Sequence, residues 1–179
     1  MSIPSIRSKY QVETLTQPQD QSSAETNFPT VGRWLVTALP RGWLYVANFG
    51  IRQMAVDAQS IVANVSLGQD ELGEADDLAG YIAAQSKLIA HHLDDPTMAG
   101  PKPMEFPGAE EACLFFVRHV PENAGSMLHA QTYVRSGRWV GIITLTTRET
   151  ELKAVRPDYD AFVKGLHITP EPAVNAPQA

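Results

Sequence analysis

The side chains that could do chemistry here are five histidines, one cysteine, one dense acidic stretch and a few amides set among apolar residues. His91 and His92 are adjacent in a helical pattern, where neighbours point about 100° apart and do not converge. His119, His129 and His167 are scattered. Structural zinc takes clustered Cys and His at fixed spacing, and that pattern is missing. The acidic run "DELGEADD" has neither the ligand spacing nor the central glycine of a calcium loop. The overlapping "LGQDELGEAD" is too acidic for phosphate and lacks the lysine of a phosphate loop. Both read as a solvated loop that caps a helix. Cys113 sits in "EACLFFV", as a small core residue would; a catalytic thiol needs a base beside it, and His119 is too far along the same run. No Gly-x-Ser-x-Gly elbow occurs. Nothing nominates an acid–base pair, so the expectation is a non-enzyme with no catalytic residue, no metal and no cofactor.

The amides carry more. In "LAGYIAAQSKLIAHHL", Leu78 to Leu93, apolar residues recur at Leu78, Tyr81, Ile82, Leu88, Ile89 and Leu93. That spacing makes one apolar helical face, with Leu78 and Leu88 as its anchors, and Gln85 falls at the centre of it. Gln131 falls on a strand face with Tyr133, Val140 and Ile142. Asn64 shares the mixed face of another strand with Val62 and Ser66. A buried amide without a partner costs about 1–3 kcal/mol. Such amides therefore either bond to each other or to backbone inside the core, or they face an open groove.

The elements that position them follow from period and punctuation. "RWLVTALPRGWLYVANF" holds one or two strands broken at Pro40 and Gly42. "QSIVANVSL" is a strand with Ile61, Ala63 and Val65 on its apolar face. The helix is capped by Asp76 or Asp77 and stopped near "HLDDP" by Pro96. "GPKPMEFPG" is a connector with at most a short edge strand. "EEACLFFVRHV" is a strand buried on both faces for part of its length. "SMLHAQTYVRSGRWVGIITLTT" is a hairpin about Ser136-Gly137. A two-residue turn there sets Tyr133 against Val140, Gln131 against Ile142 and His129 against Thr144. It also sets Arg135 against Arg138, a like-charge pair that argues for a wider loop. "RPDYDAFVKGLHI" is a helix with Pro157 in its first turn. The order β, β, α, β, β, β, α predicts an α+β fold, an antiparallel sheet with helices packed on it. Residues 1–30 form a flexible polar arm, 31–169 a single domain and 170–179 a loose Pro-rich tail.

Composition bounds the partners. With 44% hydrophobic and 19% charged residues the chain can build one core. A net charge of −6 without a basic run argues against nucleic acid and against anionic lipid surfaces. One cysteine makes no internal disulfide, the N-terminal residues contain no secretory signal, and no apolar run approaches the roughly 20 residues that span a bilayer. The expectation is a soluble, cytoplasmic protein with no direct membrane insertion.

Several blocks in order, "LPRGW", "SIVANVS", "LAGYIAAQSKL", "GAEEACLFF" and "AQTYVRSGRWVGIITLTT", resemble the DcrB-related proteins of the Mog1/PsbP-like fold, from about Leu35 to Ile168. Within that group the chain is most similar to the Eag-type adaptor chaperones of type VI secretion. The resemblance implies a curved antiparallel sheet flanked by helices, forming a concave groove lined by aliphatic residues and amides. It implies that Val62, Asn64, Gln85, Ile89, Leu93 and Gln131 line the groove. The client would be the N-terminal apolar, transmembrane-type helices of a secreted effector, and the chaperone a homodimer. Where the family places paired aliphatic residues, this chain has Asn48 or Gly50, and its N-terminal arm is longer. The alternative is an interaction module of the same fold that docks a folded partner and is no chaperone.

Overall fold

The computed structural model describes residues 30–46, 50–53, 63–73, 76–122 and 125–170. Among the described residues, ten strands and two helices run in the order β1 (Thr30–Val31), β2 (Trp34–Val36), β3 (Trp43–Val46), β4 (Gly50–Gln53), β5 (Asn64–Glu71), α1 (Leu78–His92), β6 (Thr97–Pro103), β7 (Glu111–His119), β8 (Met127–Ser136), β9 (Trp139–Arg148), α2 (Leu152–Lys164) and β10 (Leu166–Ile168). The main sheet is antiparallel and has seven strands in the order β3-β4-β5-β9-β8-β7-β6. A small antiparallel sheet, β1-β2-β10, is separate.

Residues directly opposite in an antiparallel ladder share a face. One face of the main sheet carries Ile51, Val65, Leu67, Ile143, Leu145, Ala130 and Val134, all buried. It packs into one core with Trp34, Val36 and Leu166 of the small sheet and with Val155, Tyr159 and Phe162 of α2. Tyr159 Oη and Thr132 Oγ1 are hydrogen-bonded at 3.0 Å, and Trp43 Nε1 donates to Asp158 Oδ2 at 2.8 Å, so the polar atoms that α2 brings to the sheet are matched. The opposite face carries α1 over Cys113, Phe115, Val117, Tyr133 and Val140, which form a second core with Leu78 and Ile82. The two helices therefore lie on opposite faces.

Several expectations are corrected. The β8–β9 turn is Gly137-Arg138, flanked by the Ser136↔Trp139 pair. Gly137 has φ 62°, which a glycine-first two-residue turn needs. Tyr133 then opposes Ile142, Gln131 opposes Thr144 and His129 opposes Thr146. The slip from the expected register is two residues, so every side chain keeps its face. It also separates the arginines: Arg135 opposes Val140 and pairs with Glu110 at 3.0 Å and Glu111 at 2.9 Å. A wider loop is not needed.

Helix α2 begins at Leu152, after a 3₁₀ turn at Glu149–Glu151, so Pro157 lies inside the helix and not in its first turn. "LHI" is not helical: after Gly165 it becomes β10 and pairs with β2, where burying Leu166 beside Val36 outweighs continuing the helix. "TMAGPKP" is a seven-residue edge strand, and its Pro101, Lys102, Pro103 and bulge between Ala99 and Lys102 blunt the free edge. β5 runs on through the acidic stretch to Glu71. Thr30, placed in the arm, opposes Leu35 in β1; residues 1–29 and 171–179 lie outside the described residues.

Candidate functional site

Helix α1 is the element that builds the site. The Asp77 carboxylate accepts from the Gly80 amide at 2.7 Å and caps the first turn. Leu78 and Ile82 are buried and fix the N-terminal half on β7 and β8. Arg138 donates from Nε and Nη2 to the Leu72 carbonyl at 3.1 and 3.0 Å, and so ties the β5–α1 connection to the hairpin turn. Tyr81 Oη donates to Asp70 Oδ2 at 2.9 Å; burial, then the Asp70 carboxylate, raises its pKa. The C-terminal half of α1 has no fully buried residue; Ile89 and then Leu93 pack against the same core only in part, and this half stands over a hollow.

Gln85, Leu88, Ile89 and His92 of α1 and Leu93 at its C-terminal cap, with Val117, His129 and Gln131 of the sheet, line that hollow, a cavity of about 440 Å³. Gln131 Oε1 accepts from Tyr133 Oη at 2.8 Å, which leaves its amide N–H₂ as the free end. Tyr133 is 1% exposed, and burial first, then Cys113, pushes its phenol up to about 12. His129 Nδ1 and Thr146 Oγ1 are 3.0 Å apart. Beyond the cavity the same sheet face continues through Thr144 and Thr146 of β9, Ser66 and Asn64 of β5 and Arg52 of β4.

Of the residues expected to line a groove, the structure brings Gln85, Ile89, Leu93 and Gln131 together on one cavity. Asn64 shares their face: it opposes Thr146, which opposes His129, so it continues the floor two strands away and does not line the cavity. Val62 lies outside the described residues, as do Ala47, Asn48 and Phe49, where the family pattern departs. Leu88 is corrected. It is 52% exposed and stands at the rim; Leu78 and Ile82 anchor the helix instead. Sequence reasoning missed His92, Val117 and His129. The signal for His129 is in the alternation, which puts it on the Gln131 face.

The arrangement suits binding. Cys113 is buried, and burial first, then Glu111, pushes its thiol up to about 11, far from a ready nucleophile. Among the described residues no three His, Cys, Asp or Glu side chains are grouped to hold a metal ion, and no helix is long and apolar enough to cross a membrane. A cavity with aliphatic walls and two amides can take apolar surface and still meet polar atoms.

No protein-family model and no curated protein sequence matches the chain. Solved structures do. PA94 of Pseudomonas aeruginosa, a protein of unknown function described as a candidate regulator, superposes with a TM-score of 0.57 at 17% identity, over 79% of this chain and 100% of that one. LpqN of Mycobacterium tuberculosis, involved in cell envelope biogenesis, superposes with a TM-score of 0.52 at 17% identity, over 79% and 82%. The cyanobacterial PsbP of Synechocystis sp. PCC 6803 does so with a TM-score of 0.53 at 10% identity, over 78% and 90%. At these identities the likeness is one of fold. The chain has the α+β fold of the Mog1/PsbP-like kind, an unclosed antiparallel sheet with a helix on each face.

Proposed function

We propose that the chain is an adaptor chaperone of type VI secretion that holds the N-terminal apolar helices of an effector between α1 and the main sheet. The observation that supports this most is that Gln85 and Gln131, on separate elements, line one cavity with Ile89, Leu93 and the exposed Leu88. The cavity, at about 440 Å³, has room for apolar side chains of a client helix, and the rest of that helix would lie along the open sheet face. Apolar client surface gains about 25 cal/mol per Å² on leaving water, and the amides meet whatever polar atoms the client brings. The chaperone acts as a homodimer, each subunit offering one groove.

The test is co-expression with the N-terminal apolar region of an effector encoded beside this chain, followed by affinity capture and light scattering. Capture should be stoichiometric in the wild type, on a dimer. It should fall at least tenfold in L88D and in Q85A, both at exposed or half-buried positions that leave the circular dichroism unchanged. Undiminished capture by both variants sinks the groove assignment.

A second reading has its own support. The Tyr133 hydroxyl already occupies the Gln131 carbonyl oxygen, and the sheet beyond is polar: Thr144, Thr146, Ser66, Asn64. A polar floor suits an interaction module that docks a folded partner. Under that reading, a partner recovered from the cell would be a soluble domain, and L88D would leave its binding intact.

A further inference from the structure

His119 and His129 sit on neighbouring strands of the α1-bearing face. His129 opposes Val117, and His119 opposes Met127, so the two are diagonal neighbours across the β7–β8 ladder. Their rings meet edge to face with centroids 5.1 Å apart. His129 lines the cavity, and His92 of α1 lines it from above. His119 Nε2 is buried and has no hydrogen-bond partner. A buried polar nitrogen without a partner is costly, and a charged one more so.

The surroundings decide what a proton would do here. On β9 the nearest groups across from His129 are Thr146, which bonds its Nδ1, and on either side Thr144 and Arg148. On β5 and β4 the row continues with Asn64 and Arg52, and β6 contributes Met98 opposite Val117. From α1 and its cap come Gln85, Leu88, Ile89, His92 and Leu93. Among the described residues, the carboxylates that follow the elements at this end are Glu122 after β7, Asp94 and Asp95 after α1, and Glu149 and Glu151 after β9. Glu149 is held by Arg118 and Ser126, and Glu151 by Arg148. Among the described residues no ion pair within 4.0 Å joins either histidine to a carboxylate. The fixed charges in these rows are cationic.

We infer that His129, set against His119 in the floor of the groove, is a proton-operated switch: mild acidification places a charge in that floor. At this ring separation a charge on one imidazole disfavours a charge on the other. Burial first, then His119, already lowers the His129 pKa below that of a free imidazole. The sign follows. The unfolded chain takes the proton more readily, so stability is full above the ordinary histidine value near 6.5 and is lost as pH falls from there through the lower folded value. An imidazolium in the floor also removes the apolar lining that a client would use. That last consequence rests on the function proposed above; the proton sensitivity of the groove does not.

The experiment needs no client. Histidine Cε1–H resonances of the full chain are followed from pH 8 to pH 4.5 in the wild type, H119Q and H129Q, alongside thermal midpoints and the fluorescence of Nile red as a neutral probe of the groove. His129 is expected to titrate below 6.5 in the wild type and closer to it in H119Q. The fall in thermal midpoint between pH 7.5 and pH 5 should shrink in H129Q relative to the wild type, and Nile red should leave the wild-type groove over the same range. A wild-type His129 that titrates at or above the ordinary value overturns the inference, even if a variant fails to fold. So does an H129Q that loses as much stability on acidification as the wild type. With an effector fragment in hand, release that tracks the His129 titration supports the client consequence. Release without that link counts against the consequence alone.

Discussion

Replacing Gln131 by Met keeps the length of the side chain and removes its acceptor. In the native chain, Gln131 Oε1 receives the hydroxyl proton of Tyr133 at 2.8 Å, and Tyr133 is 1% exposed. The methionine thioether is a weak acceptor, so the phenol is left buried without a good partner at a cost of about 1–3 kcal/mol. For a domain of this size that corresponds to a thermal midpoint lower by roughly 3–9 °C. The reverse truncation, Y133F, leaves the amide of a half-exposed glutamine that water can reach, so it should cost less than about 1 kcal/mol. The two losses are not independent. Q131M/Y133F removes donor and acceptor together and should recover at least about half of the Q131M loss, a coupling above roughly 0.5 kcal/mol. Urea unfolding of the four proteins measures it. A Q131M within about 0.5 kcal/mol of wild type, or losses that simply add, would refute the reasoning. The Tyr133 hydroxyl would then be served by water in the cavity, and Gln131 would belong wholly to the groove.

Three other outcomes follow from the same geometry. I82A removes the 2%-exposed side chain that seats α1 on Phe115 and Val117, and should destabilise the chain by about 2–5 kcal/mol in chemical denaturation. With its pKa near 11, Cys113 has a thiolate population of roughly 0.1% at pH 8, so native-state labelling by a thiol reagent should be at least tenfold slower than labelling in denaturant. G141A forces a methyl group into Trp34 and Trp139, which meet edge to face at a centroid distance of 5.1 Å, and should cost about 1–3 kcal/mol, visible as a lower thermal midpoint and altered tryptophan fluorescence.

The parts legible in the sequence were those set by period. Alternation put Gln131, Tyr133 and His129 on one face of the hairpin, and a register error of two residues did not move them. The helical spacing placed Gln85, Ile89 and Leu93 on one side of α1, and the cap was legible as Asp76 or Asp77, of which Asp77 takes the role. What failed depended on partners distant in sequence. Leu166–Ile168 became a strand because β2, some 130 residues earlier, offers its edge at Trp34–Val36. Leu88 had the spacing of an anchor, yet nothing in its own segment says that the hollow lies beneath this end of α1 and the packed floor beneath the other. "TMAGPKP" has the composition of a connector, and only the adjacent β7 edge makes it a strand.

Why the groove stays open is a question about the sheet as much as the helix. The two faces are not equivalent. Opposite α1, the core face is filled by α2 and the small sheet and is mostly aliphatic from β4 to β8, with buried Thr132 and Thr147 as its polar members. On the α1 face, the helix seats its buried residues over the apolar positions near the hairpin end, Cys113, Phe115, Tyr133 and Val140. Past Gln131 the exposed or half-buried positions turn to Thr144, Ser66, Thr146 and Asn64. Such side chains tolerate water, so leaving this part of an antiparallel sheet uncovered costs little. Aliphatic residues there would have demanded a lid or would have drawn α1 further across. The polarity of the floor thus keeps the cavity from collapsing, while Leu88, Ile89 and Leu93 keep its wall adhesive. An occupant must match both: one side that leaves water gladly and one side with polar atoms to offer. A helix with an unbroken leucine surface meets the first demand and fails the second, so an all-leucine peptide should bind less tightly than one with a serine or glycine face of the same length. Fluorescence titration of labelled versions of both decides it, and tighter binding of the all-leucine peptide would show that the amides and hydroxyls of the floor take no part in recognition.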